Sequence, residues 1–124
     1  MARRRSPTLT EAETRLMNVL WDKGEARVAE VAAALPKRRA VAYNTVQTVL
    51  NILEQKGYVT HIRSGRAFIY RPKIDRAVAQ KRAIGYLLSS LFGGSPTELV
   101  LNVLEDERLD PAEVRRLKRL IEEA

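Results

Sequence analysis

The sequence predicts a mainly α-helical chain with one small β-hairpin: three helices, the hairpin, then three more helices. Apolar residues recur at helical spacing in six segments, most of them opened or closed by a capping signal. Between residues 58 and 72 the period changes to about 2 around a central Ser64-Gly65, as in two strands joined by a turn. The chain has 124 residues and no cysteine, which is one domain or two very small ones with no disulfide framework, thiolate metal site or cysteine nucleophile.

Each element has its own signal. Thr10 with Glu13 forms a capping box ahead of Leu9, Ala12, Leu16, Val19 and Leu20, and Gly24 supplies a helix-ending residue. A second helix is expected from about Arg27 to Leu35, with Val28, Val31, Ala32 and Leu35 on one face. It lacks a good cap, since Glu25, Ala26 and Arg27 are all poor there, and Pro36 stops it. Residues 43–56, "YNTVQTVLNILEQK", carry Val46, Val49, Leu50 and Leu53 at i, i+3, i+4 and i+7, with Gly57 at the C′ position. The hairpin strands are expected at Tyr58–Arg63 and Ala67–Arg71, with a tip of Ser64, Gly65 and Arg66, and Pro72 ends it. Asp75 can cap a helix bearing Val78, Ile84, Leu87, Leu88, Leu91 and Phe92. Gly93-Gly94 closes that helix, and Ser95-Pro96-Thr97-Glu98 and Asp110-Pro111-Ala112-Glu113 open the last two. Gly93-Gly94-Ser95 resembles an anion nest but reads better as a helix end beside a helix start.

Three helices followed by a hairpin is the element order of a winged helix-turn-helix. The expected architecture is mainly α with a small β-wing, followed by a three-helix dimerisation region. Residues 1–74 would form the winged-helix DNA-binding domain and 75–124 the helical dimerisation domain. Charge divides at the same place. Residues 1–74 hold 14 basic and 6 acidic side chains, a net +8, while 75–124 hold 8 and 9, a net −1. A basic half beside a neutral half suits a polyanion-binding module joined to another module; a solubility bias is the plainer alternative.

The polar face of the third helix shows Asn44, Thr45, Gln47, Thr48 and Asn51. A face needed only for solubility normally uses charged residues. Amides and hydroxyls suit base edges: Asn or Gln pairs with adenine N6/N7, and Thr can meet a thymine methyl. Lys37, Arg38 and Arg39 precede that helix, and Arg63 and Arg66 lie in the wing; they would neutralise phosphates and fix register without reading sequence. Tyr43 could stack on a sugar or donate to a phosphate, or it could be a packing residue. The last fifty residues have wide apolar faces led by Leu88, Leu91, Leu101, Leu117 and Ile121. A second copy of the chain is the natural partner, the alternative being folding back on the amino-terminal core.

Enzyme readings fare badly. The single histidine, His61, is expected on a surface strand, and no Ser/His/Asp, GxxxxGK[ST] or GxGxxG pattern occurs. No cofactor or metal is expected. Trp21 reads as a core or interdomain anchor, and the basic residues 2–5 as a tail rather than a minor-groove arm. No apolar run approaches 18 residues and no apolar h-region follows the basic start, so no membrane insertion and a cytoplasmic location are expected.

Several segments match one family closely: "LTEAETRLMNVLWDKG", "VAEVAAAL", "YNTVQTVLNILEQKGYV", "RAFIYRP" and "LFGGSPTELVLNVLEDERLDPAEVRRLKRLIEE". Over about Leu9 to Ile121 the chain resembles the penicillinase (β-lactamase) repressor family of bacterial regulators, the BlaI/MecI/CopY type. The Trp-Asp-Lys-Gly helix end and the Leu-Phe-Gly-Gly…Leu-Val-Leu-Asn run are specific to it. The resemblance implies a homodimeric repressor on near-palindromic operators with TACA/TGTA-type half-sites. It also implies, for antibiotic-responsive members, a membrane sensor protease or a downstream protease whose action cuts the dimerisation region. The matching bond here is Asn102-Val103. Copper-responsive members carry a cysteine metal motif, which this chain lacks. It departs from the family pattern at the second helix cap, near Arg27, and at Val103. A winged-helix scaffold that binds protein, or an RNA-binding module, are the contending readings; the latter would need exposed aromatics for stacking.

Overall fold

The computed structural model describes residues 7–35, 43–106 and 108–123. The elements run α1 (Glu11–Lys23), β1 (Ala26–Arg27), α2 (Val28–Ala34), α3 (Tyr43–Gln55), β2 (Val59–Ser64), β3 (Ala67–Pro72), α4 (Arg76–Leu91), α5 (Pro96–Leu104) and α6 (Pro111–Glu123). The chain forms two compact units, Met1–Ala83 and Ile84–Ala124, with α4 crossing the boundary. None of the described helices is long and apolar enough to cross a membrane.

In the first unit the capping box is complete. The Thr10 hydroxyl accepts from the Glu13 N–H at 3.2 Å, and the Glu13 carboxylate accepts from the Thr10 N–H at 2.9 Å. Glycine closes α1 because Gly24 has φ 85°, a region costly for any residue with a Cβ. The buried core takes Leu16, Met17 and Leu20 from α1, Val28 and Val31 from α2, and Val46, Leu50 and Leu53 from α3. The i, i+4, i+7 stripe of α3 is thus its inward face, with Val49 half-buried beside it.

The sheet has three strands, not two. Its order is β1-β3-β2, all antiparallel, with Ala26 opposite Tyr70 and Arg27 opposite Ile69. Arg27 therefore ends a strand and, as N-cap, directly precedes α2. A two-residue strand carries no periodicity of its own; only its partners reveal it. The poor cap expected at Arg27 is real, since no side chain caps α2 there. Glu30 compensates by accepting from the Arg27 N–H at 3.0 Å. In the wing, β2 begins and ends one residue later than the sequence indicates, while β3 begins at Ala67 as expected and ends one residue later. Tyr58 is a core residue, and Pro72 closes β3 opposite Val59 at the strand end, where a missing N–H is tolerated.

Two long-range polar clamps close this unit. Lys56, at the end of α3, donates to the Glu13 carboxylate at 2.7 Å and to the Thr8 carbonyl at 2.9 Å, with side-chain exposures of only 7% and 6% for the ionic partners. Trp21 Nε1 donates to the Ile74 carbonyl at 2.9 Å and carries the Arg76 guanidinium over its ring at 5.2 Å. The start of α4 is thereby held against α1, and Ala79 joins the core.

In the second unit, Leu88 O accepts from the N–H groups of both Phe92 and Gly94, which ends α4. Ser95 caps α5 through the Glu98 N–H at 3.2 Å, and Asp110 accepts from the Ala112 N–H at 3.0 Å at the start of α6. The Arg108 guanidinium holds the Asp106 carboxyl below its ordinary range in the turn between α5 and α6. No described residue of this unit is buried.

Candidate nucleic-acid interface

Burial of Val46, Leu50 and Leu53 turns the opposite side of α3 outward. Asn44, Thr45, Thr48 and Asn51 are exposed there, and Gln47 is half-buried at the edge. The Thr48 hydroxyl donates to the Asn44 carbonyl one turn back at 2.9 Å. That bond uses its proton and leaves the methyl as its free apolar contact. The Asn44 and Thr45 side chains make no hydrogen bond among the described residues. Tyr43 is 55% exposed.

Gln47 differs from the expectation of a free reader. Its Nε2 donates to Tyr70 Oη at 2.8 Å and to Asn51 Oδ1 at 3.0 Å. Both amide hydrogens are engaged within the protein, which ties the reading face of α3 to strand β3.

The wing adds charge. Arg63 Nε donates to the Gly65 carbonyl at 3.2 Å, and its guanidinium lies 6.0 Å from the Phe68 ring centroid. Arg63 and Arg66 are exposed, and neither pairs with a carboxylate among the described residues. Arg15, Arg71 and Arg76 are, by contrast, paired with Glu11, Glu25 and Asp22. Both wing arginines are thus free to meet a phosphate. Lys37, Arg38, Arg39 and the basic residues 2–5 lie outside the described residues.

His61 is not a free surface residue. Nδ1 faces both oxygens of Glu54, at 3.0 Å from Oε2, and its ring packs on Phe68 and Tyr70 with centroids 4.9 and 5.3 Å apart. This pair and the Gln47–Tyr70 bond both join α3 to the wing. Sequence reasoning missed these links. Alternation along β2 and β3 places His61 and Tyr70 on one face, but nothing in the sequence reveals that α3 lies against it.

In the second unit, Leu91 is 76% exposed, Leu101, Leu117 and Ile121 are also exposed, and Leu88 is half-buried. Asn102 and Val103 lie within α5, both exposed, and Asn102 Nδ2 donates to the Glu98 carbonyl at 2.8 Å.

This architecture is matched by known proteins. The model of the penicillinase repressor family fits residues 9–123. The chain belongs to that family. It is similar to the penicillinase repressor of Bacillus licheniformis, at 32% identity over 94% of this chain and 91% of the relative. The penicillinase repressor of Staphylococcus aureus is 25% identical over 91% of this chain and 90% of that one. The solution structure of the DNA binding domain of the repressor BlaI covers 60% of this chain and 92% of its own, with 33% identity and a TM-score of 0.52. The penicillinase repressor family consists of regulatory DNA-binding proteins, not enzymes, and the first unit is its winged helix.

Proposed function

We propose that the chain is a homodimeric transcriptional repressor that occupies palindromic operator DNA through two winged helices. In each, α3 lies in the major groove and the wing follows the backbone. The observation that carries this reading is the two-sided character of α3. A fully buried stripe of Val46, Leu50 and Leu53 backs an exposed face of amides and hydroxyls, beside two arginines without carboxylate partners. Asn44, Thr45, Thr48 and Asn51 would meet base edges, with Gln47 acting alongside Asn51. Tyr43, Arg63 and Arg66 would meet the backbone, as would Lys37, Arg38 and Arg39.

Residues 1–74, with the first turns of α4 packed on them, serve as the DNA-binding part, and the remainder serves for dimerisation. Support for the dimer comes from the uncovered apolar faces of α5 and α6, which a second copy would bury. Tethering makes the second DNA contact intramolecular and multiplies affinity. Cleavage at Asn102-Val103 would sever α6 from the chain and dissolve that tether. The bond lies inside a helix, so a protease would first have to unwind α5, which has no buried residue to resist it. A cell-wall antibiotic signal passed through a membrane sensor protease or a downstream protease is the trigger that the family resemblance implies.

The test is duplex binding at several salt concentrations, with Asn44, Gln47 and Thr48 each replaced by alanine. Each lost base contact is expected to cost about 1–3 kcal/mol at particular base pairs, with the core intact. Binding without salt dependence, or unchanged base preference in all three variants, would favour a protein-binding scaffold with a basic surface instead.

A further inference from the structure

A buried tyrosine of the wing holds one residue of the polar face of α3. Tyr70 is 2% exposed, so its hydroxyl is a fixed post, not a mobile surface group. Gln47 Nε2 donates to that hydroxyl at 2.8 Å and to Asn51 Oδ1 at 3.0 Å. Gln47 and Asn51 are four residues apart and therefore neighbours on one helix face. Gln47 Oε1 and Asn51 Nδ2 make no hydrogen bond among the described residues. The linked pair thus leaves the carbonyl oxygen of Gln47 and the NH2 group of Asn51 free. A tyrosine hydroxyl can donate as well as accept. If it donates to Gln47 Oε1, Asn51 Nδ2 donates to the same oxygen and both polarities reverse together. In either sense one amide turns its oxygen outward and the other its nitrogen, never both nitrogens.

Adenine shows a donor, N6–H, beside an acceptor, N7, in the major groove, whereas guanine shows two acceptors, O6 and N7. A lone amide freed from Tyr70 could turn its nitrogen outward while Asn51 does the same, and two donors would then suit guanine. We infer that Tyr70 is a specificity-determining positioning residue: its hydroxyl couples the amides of Gln47 and Asn51 so that α3 accepts an adenine edge and rejects a guanine. This rests on α3 being the reading helix, and the experiment separates the two ideas.

The full-length protein is titrated with duplexes in which each operator position is changed from A·T to G·C, at one fixed salt concentration. Tyr70→Phe keeps the ring in the core and removes only the hydroxyl. It is expected to lower discrimination against G·C roughly fivefold at one position per half-site, the equivalent of one hydrogen bond. Affinity for non-specific DNA and the salt slope stay unchanged. Gln47→Met breaks the same link from the helix side without touching the core and also removes the amide itself, so preference for A·T at that position falls at least as far, even if Tyr70→Phe folds poorly. The double variant shifts no further than Gln47→Met alone. Uniform weakening on every duplex would overturn the proposal, reducing the hydroxyl to a packing role. If Asn51→Ala or Gln47→Met alters base preference while a folded Tyr70→Phe does not, the positioning role fails and α3 remains the reader. If all three leave it unchanged, α3 is not the reader and the inference falls with it.

Discussion

The two compact units treat their apolar residues in opposite ways. Every buried apolar residue described lies between Leu16 and Ala79, and none lies beyond. Yet α5 and α6 carry Val100, Leu101, Val103, Leu117, Leu120 and Ile121, all exposed. Composition does not separate the units; closure does. In the first, α1, α2, α3 and the sheet surround one core, locked by the Lys56–Glu13 pair and the Trp21–Ile74 bond. In the second, two short helices and the end of a third are too few to enclose what they carry. The first unit thus encloses its own core, while the second leaves its apolar faces uncovered, and on the proposed reading another copy of the chain covers them.

The largest expected effect lies in the open unit. Leu117→Asp places a charge on the face that a partner would cover. It is expected to leave the winged helix folded, to give a monomer in sedimentation, and to weaken operator binding by about 10²- to 10⁴-fold through loss of the tether. A dimer that survives this change would move the interface elsewhere. In the closed unit the damage takes another form. Leu50→Ala empties a fully buried site and is expected to cost about 2–5 kcal/mol in denaturant unfolding, independent of protein concentration. Concentration dependence there would mean that the core is not self-contained.

Smaller effects sharpen the same contrast. Arg66→Ala touches no core and is expected to flatten the salt slope of DNA binding by about 1, with base preference unchanged. A shift at one base pair with no change in slope would make the wing a reader. The smallest effect belongs to Asp106. Its carboxyl is held below the ordinary value of 3.8, so its contribution is full above that value and is lost as pH falls through the lowered one. Asp106→Asn should therefore be slightly less stable than the parent at neutral pH and equal to it in strong acid. The difference is small because the Arg108 side chain lies in solvent. A difference that grows on acidification would reverse the assignment.

What the sequence revealed follows the reach of its signals. The inward face of α3 was legible because Val46, Leu50 and Leu53 recur within one helix, and the capping box of Thr10 and Glu13 was legible because its partners lie three residues apart. The strand at Ala26–Arg27 was not, since two residues show no period and their partners Tyr70 and Ile69 lie more than forty positions away. The polar residues of α3 were legible as a set, but not the fact that Gln47 is committed to Tyr70. Nothing local marks Lys56 as the partner of Glu13, which lies forty-three positions away. Contacts made across tertiary distance leave no local pattern, and at this site they decide which polar atoms remain free.

The central claim, two α3 helices reading one duplex, is tested most directly by selecting bound duplexes from a random pool with the full-length protein at physiological salt. The account predicts enrichment of an inverted repeat whose half-site centres lie about one helical turn apart, roughly 10–10.5 base pairs or a multiple of it. Recovery of a single unrepeated half-site, or of no sequence above the starting pool, would contradict it.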